Sequence, residues 1–326
     1  MNIKSLLLGS AASLLAVSAS QAADAIIAAE PEPMEYVRVC DAFGTGYFYI
    51  PGTETCLKIG GYVRFQVNFD TSDGAFGDEN WNAFTRGRLA VTSKSDTELG
   101  ELTGFMAIHG DTENNFTGDD AFYMDEVYLQ LGGFKAGTYL NWWDANDLPG
   151  ELDALGSNRF TSIAYIYTGD AFTAGIQLDE IEPSVDSARG LGLEAVIQAT
   201  VGPVSAELLG SYDFDAEEGA VRGIGSVEAG SGTFYLAGIY SSGANEYYSS
   251  AEWTVAVAYA WNATEKLQII PEFQYFWDAE FAGEDYWNAG ATVNYKITDG
   301  LTSKVAVGYS DLDEEWAGLV RLQRDF

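Results

Sequence analysis

Along residues 56–69 every second side chain is apolar or glycine: Leu57, Ile59, Gly61, Val63, Phe65, Val67 and Phe69. Between them stand Lys58, Gly60, Tyr62, Arg64, Gln66 and Asn68. A period of two is an extended strand with two unlike faces. The alternation recurs far down the chain. Trp253, Val255, Val257 and Tyr259 oppose Thr254, Ala256 and Ala258. Phe273, Tyr275 and Trp277 oppose Glu272, Gln274 and Phe276. Trp287, Ala289, Ala291, Val293, Tyr295 and Ile297 oppose Asn288, Gly290, Thr292, Asn294 and Lys296.

Counting such runs between turn residues predicts about 16 strands. They lie near 56–69, 82–94, 100–111, 120–131, 136–141, 160–168, 171–179 and 188–200. The second half continues near 204–214, 219–229, 232–240, 250–260, 267–277, 285–297, 301–310 and 315–326. A shorter strand is expected before the Pro51-Gly52 turn. Tight connections such as Gly132-Gly133, Gly169-Asp170, Gly230-Ser231 and Thr298-Asp299-Gly300 alternate with longer acidic ones, as at 70–81, 179–187 and 278–284. Short turns on one side, long loops on the other and an even strand count are the pattern of an outer-membrane barrel with both termini on the periplasmic side. The expected fold is all-β: a transmembrane antiparallel β-barrel whose apolar faces meet lipid and whose polar faces line water. A soluble sandwich of this length would need more bulk and less glycine on its inner faces. Trp81, Trp253, Tyr259, Trp277, Trp287, Tyr295 and Trp316 fall near strand ends, where interfacial girdles belong.

The start of the chain supports export. Lys4, the apolar stretch Leu6 to Ala19 and the small residues of Ser20-Gln21-Ala22 read as a signal peptide cleaved after Ala22. No later run approaches the roughly 18 uninterrupted apolar residues of a membrane helix. Residues 23–55 are expected to form a periplasmic lead-in that ends in a disulfide-linked hairpin, and the barrel fills 56–326. Cys40 and Cys56 are the two cysteines of the chain, and in an oxidising compartment they pair. Closing that loop removes unfolded-state entropy worth on the order of 3 kcal/mol.

Charge narrows the partners. With 16 Lys+Arg against 49 Asp+Glu the net charge is −33, which opposes nucleic-acid binding. Such charge could mark disorder, but 47% hydrophobic residues and 8 Trp, 19 Tyr and 18 Phe argue for a folded chain. Two cysteines and one histidine are too few ligands for a zinc site, and no cofactor is implied. His109, the single histidine, is read as an ordinary lumen residue, and no serine–base constellation is visible; the chain is not expected to be an enzyme. Phe326 closes an alternating strand, the signal that barrel assembly machinery reads. Arg324 interrupts the apolar face of that strand, tolerable at headgroup level.

The stretch from Glu35 to Arg64, Glu-Tyr-Val-Arg-Val-Cys-Asp-Ala-Phe-Gly-Thr-Gly-Tyr-Phe-Tyr-Ile-Pro-Gly-Thr-Glu-Thr-Cys-Leu-Lys-Ile-Gly-Gly-Tyr-Val-Arg, closely resembles the N-terminal signature of the alphaproteobacterial porins. Asp125 to Gln130 and the terminal Phe326 are similar in order and position. The resemblance implies a homotrimer of 16-stranded barrels in the outer membrane, surrounded by lipid and lipopolysaccharide. Each barrel would be a water-filled pore narrowed by an inward-folded third loop.

Here that loop is 142–159, and its carboxylates Asp144, Asp147, Glu151 and Asp153 are the candidates for the acidic side of a constriction. Alternation turns Lys58, Arg64, Arg86, Arg88, Lys304 and Arg321 inward on four strands that closure sets side by side. A mid-membrane arginine on the lipid face would cost about 2–4 kcal/mol, which favours the inward placement. The function expected is passive diffusion of small hydrophilic solutes and ions, with weak cation preference. A substrate-specific channel or an adhesive or structural barrel are the alternatives. The inward faces carry only scattered aromatics (Tyr62, Phe84, Phe105, Tyr128), not the continuous slide of a specific channel.

Overall fold

A computed structural model describes residues 38–71, 81–113, 122–145, 147–152, 155–156, 158–181 and 189–326. The expected signal peptide, most of the lead-in after it, and Asp153 lie outside the described residues. A short strand β1 (Phe48–Tyr49) precedes β2 (Cys56–Asp70), β3 (Trp81–Thr97), β4 (Gly100–Glu113), β5 (Tyr123–Leu131) and β6 (Phe134–Leu140). One helical turn, α1 (Trp142–Ala145), follows. The chain continues through β7 (Arg159–Thr168), β8 (Phe172–Ile181), β9 (Gly190–Val201), β10 (Val204–Asp213), β11 (Glu218–Ala229) and β12 (Gly232–Ser241). The last strands are β13 (Ala251–Asn262), β14 (Leu267–Ala279), β15 (Glu284–Thr298), β16 (Leu301–Ser310) and β17 (Glu315–Asp325).

Each strand from β2 to β17 pairs antiparallel with its sequence neighbours, and β17 pairs with β2 from Ala317↔Asp70 to Asp325↔Tyr62. The result is a closed 16-strand barrel with one added strand. Closure removes the sheet edges, as a span through lipid requires. At the end of the barrel with the short turns, Phe326 completes the seam: its N–H donates to Gly61 O at 3.0 Å and the Gly61 N–H donates to Phe326 O at 3.1 Å. Gly61 has to be glycine here, because a Cβ would stand 2.0 Å from Arg88 O and 3.2 Å from the Phe326 ring. Past that point β1 takes over the exposed edge of β2, with Phe48 opposite Leu57 and Tyr49 opposite Cys56.

Burial is inverted relative to a soluble domain. Val63 is 52% exposed, Leu129 65% and Trp253 51%, while Asp179, Glu194 and Arg222 are 0% exposed. Water outside would penalise this arrangement on both counts; lipid outside and a filled polar interior remove both penalties. The outer face also carries linked ring pairs toward the long-loop end. Tyr240 lies 4.6 Å from Trp253 and Tyr309 lies 5.3 Å from Trp316, centroid to centroid. Trp253 and Trp316 are among the residues expected in an interfacial girdle, and Tyr240 and Tyr309 pair with them.

The compact core lies inside the barrel. Trp143 and Leu155, from the segment between β6 and β7, pack on inward residues Val196, Leu209, Ala220, Ala237, Ile239 and Ala256. The third long loop therefore folds into the lumen and covers the inner walls of β9 to β13.

Candidate permeation site

The inward loop is held at its root by one arginine. Arg222, fully buried on β11, donates Nη1 hydrogen bonds to Trp143 O at 2.6 Å and Leu155 O at 3.1 Å. Its Nη2 donates to Trp142 O at 2.7 Å and to the Glu207 carboxylate at 3.2 Å. The forked guanidinium thus satisfies carbonyls from both limbs of the loop, and Glu207 balances its charge. Arg222 also lies over the Trp143 ring, 5.1 Å from its centroid. A second long loop reaches over the first: Asn158 donates to Tyr247 O at 3.3 Å, and Tyr247 OH donates to Asp179 at 2.7 Å.

The tip of the loop is held from β14. The Glu272 carboxylate accepts the Glu151 and Leu152 N–H groups at 3.1 and 2.9 Å, and Thr292 Oγ1 at 2.9 Å. Gly150 permits this approach: a Cβ there would meet Glu272 at 2.0 Å, and its φ of +122° is one that L side chains avoid. From this tip the Glu151 side chain bonds Lys304 of β16 and Arg321 of β17, the latter at 3.2 Å.

Strand register resolves the depths of the predicted basic residues. Gln323, Arg64, Arg86 and Asp111 are direct cross-strand partners in one row over β17, β2, β3 and β4. Lys304, Arg321 and Gln66 form the adjoining row. Arg86 makes a bidentate pair with Asp111, both contacts 2.6 Å. Arg88 lies 3.7 Å from Asp125 and 3.5 Å from Glu126, and Arg159 binds Asp125 at 2.6 Å. Arg64 donates to Gln323 at 2.8 Å and stacks 4.6 Å from the Tyr62 centroid. Arg64 is therefore the cation of this row without a carboxylate partner among the described residues. Lys58 stands apart, separated from Arg64 along the inward face of β2 by Gly60 and Tyr62, toward the end with the short turns.

The predicted acids also divide. Glu151 alone, among those described, reaches the basic arc. Asp144 lies in α1, where its N–H donates to Asn141 Oδ1 at 3.3 Å. Asp147 lines a recess of about 580 Å³ on the opposite wall, with Thr173, Gln198, Glu207 and Tyr235. The carboxylates that answer most of the wall arginines are Asp111, Asp125 and Glu126, on strands. Asp111 was legible as an inward position on the face of His109; Asp125 was not, because the β4–β5 register shifts between Ala107 and Ile108. That bulge turns both Asp125 and Glu126 into the lumen. His109 fits the reading as a wall residue, 3.0 Å from Tyr123 OH and 3.3 Å from Asp125. The expected disulfide Cys40–Cys56 is formed.

The sequence family described as the porin subfamily matches residues 24–324. Outer membrane protein IIIA of Rhizobium leguminosarum bv. viciae is 46% identical over 334 residues, 95% of this chain and 90% of the relative. Porin Omp2b of Brucella neotomae is 34% identical over 371 residues, 100% of both chains. Among solved structures, the outer membrane channel DcaP of Acinetobacter baumannii superposes with a TM-score of 0.67 at 14% identity, covering 85% of this chain and 99% of that one. A closed barrel with a loop anchored across its lumen, matched end to end by such relatives, belongs to the porin family of the outer membrane.

Proposed function

We propose that the chain is a general diffusion porin, an aqueous path for small hydrophilic solutes and ions with a weak preference for cations. One observation carries this reading. The inward loop is fastened to the inner walls from β9 round to β17, and the wall of β2 to β5 opposite it is lined by charged and hydroxyl side chains. The path runs down that wall, between Glu151 and the arc of Arg64, Arg86 and Arg88. Charges of both signs fixed at a narrow wet point make solutes orient and exchange hydration, so size and dipole set flux.

Six cations (Arg64, Arg86, Arg88, Arg159, Lys304, Arg321) meet five carboxylates (Asp111, Asp125, Glu126, Glu151, Glu272) around this loop tip and wall. Locally the balance favours anions, whereas the chain as a whole carries −33. The acids at the mouths act over about a Debye length, near 10 Å at 0.1 M salt and 30 Å at 0.01 M. Cation preference should therefore be stronger in dilute salt. Reversal potentials across a planar bilayer at low and high ionic strength test it, and an anion-favouring value in dilute salt rejects it. Liposome swelling with sugars of graded size tests the absence of a dedicated substrate: graded uptake supports a general pore, and uptake of one sugar alone does not.

The family resemblance supports a homotrimer embedded in lipid and lipopolysaccharide. Phe326, seated on Gly61 at the seam, fits the role of signal to the barrel assembly machinery.

A further inference from the structure

The disulfide lies on the lumen side of the wall. Cys56 shares the inward face of β2 with Lys58 and Arg64, and both cysteines are buried, 0% and 1% exposed. Register sets Cys56 opposite Lys94. From there β3 runs further toward the periplasm through Ser95, Asp96 and Thr97 before turning into β4. The segment tied to Cys56 therefore sits inside the rim. Residues 39–49 fold there as a small hairpin, with the Cys40 N–H donating to Tyr47 O at 2.9 Å.

The hairpin meets lumen-facing lysines ring to amine. Tyr47 lies under the Lys58 amine at 5.7 Å and Phe43 under Lys94 at 5.8 Å. Lys58, Thr92, Phe105 and Tyr128 form one cross-strand row, and Phe105 stacks on Tyr128 with centroids 5.0 Å apart. Lys135 on β6 lies 4.1 Å from the Tyr128 centroid and 3.6 Å from that of Tyr139. Lys94 is paired with Glu101 at 2.7 Å. Lys58 and Lys135 have no carboxylate partner among the described residues. Cations held on aromatic faces keep their charge available to a passing anion.

We propose that the disulfide-closed hairpin, with Lys58 and Lys135, is a second selectivity filter that favours small anions at the periplasmic end of the pore. It stands on the wall from β2 round to β6, on the same side as the path left open by the inward loop. Solutes meet the two filters in series. This rests on the reading of the chain as a pore.

The full chain is measured in planar bilayers with potassium chloride, after heat-modifiable gel mobility has verified a native barrel. Cys40→Ser with Cys56→Ser releases the hairpin, and Tyr47→Ala thins it with the disulfide intact, which covers failure of the first variant to fold. Each is expected to raise single-channel conductance. Lys58→Gln with Lys135→Gln is expected to shift the reversal potential toward the potassium equilibrium value. A conducting wild type whose folded hairpin variants keep its conductance overturns the filter and leaves the pore reading standing. A conducting wild type with an unmoved reversal potential in the lysine variant overturns the anion preference. A wild type that does not conduct overturns both readings.

Discussion

Glu272 on β14 receives the backbone N–H of Leu152 at 2.9 Å, across the barrel interior from where the loop begins. The same carboxylate takes the Glu151 N–H and the Thr292 hydroxyl. It thereby fixes the turn from which Glu151 reaches Lys304 and Arg321. Hydrogen bonds to a charged acceptor are worth about 1.5–3 kcal/mol each, so this side chain carries the largest share of the hold on the tip's backbone, beside Gln274, which donates to Leu152 O at 2.5 Å.

Glu272→Ala is expected to free the tip without opening the barrel, whose ladder does not use the carboxylate. Glu151 then leaves Lys304 and Arg321, and single-channel current should become noisier, with brief substates. Gly150→Val should do the same by a different route, forcing a side chain against Glu272 at a φ that valine avoids. Quiet, wild-type current levels in both variants would show that the tip is held elsewhere.

Arg222→Leu should be the most damaging single change to the loop. Truncation strands three loop carbonyls and leaves Glu207 as a buried charge whose remaining partner is Gln198 at 2.8 Å. Removing one partner of a buried pair costs about 3–5 kcal/mol. Thermal unfolding in detergent should begin at lower temperature, and protease should cut near Trp142. An unchanged melting temperature would refute the anchoring role.

These anchors also mark what a sequence can disclose. The strand ladder was legible because lipid demands an apolar side chain at every second position, as at Val63, Phe65 and Val67. The inward loop was legible through its family position and its Trp142-Trp143 content. Arg222 was not, although Ala220, Arg222 and Ile224 share an inward face. Its partners in the loop are carbonyl groups, which every residue carries, so no residue pattern announces them. Asp125 escaped for a different reason: a bulge breaks the period of two, and alternation counted from the inward Tyr128 assigns the wrong face from Asp125 back to the start of the strand. The placement of the Cys40–Cys56 hairpin inside the rim follows from the face of Cys56. That position could have been read from its parity with Lys58 and Arg64.

Arg64 and Arg86 should separate in their effects. Arg64→Ala removes a cation bonded to Gln323 and leaves no acid behind. Arg86→Ala uncovers Asp111 at the same level of the wall. Both changes should shift reversal potential toward cations, the second further, because it also exposes a carboxylate. Combining Arg86→Ala with Arg88→Ala should also raise conductance. Unchanged conductance and reversal potential would place these side chains away from the narrowest point.

Tyr247 offers a test by pH. It lies in the long loop between β12 and β13, its hydroxyl donating to the buried Asp179 carboxylate at 2.7 Å. Burial first, and then the neighbouring Asp179 charge, push the phenol well above the ordinary tyrosine value. In the unfolded chain tyrosine ionises near pH 10. A group with a raised folded pKa adds its full stability below the unfolded value. That contribution falls as pH climbs past about 10, since the unfolded state releases a proton that the folded state retains. The wild type should therefore lose thermal stability above about pH 10 more steeply than Tyr247→Phe, which has no proton to lose. At neutral pH the order reverses, with the variant weaker by about 1–3 kcal/mol for the Asp179 carboxylate left short of a donor. Melting temperatures measured from pH 7 to 11 check both halves, and parallel curves for the two proteins would disprove the coupling.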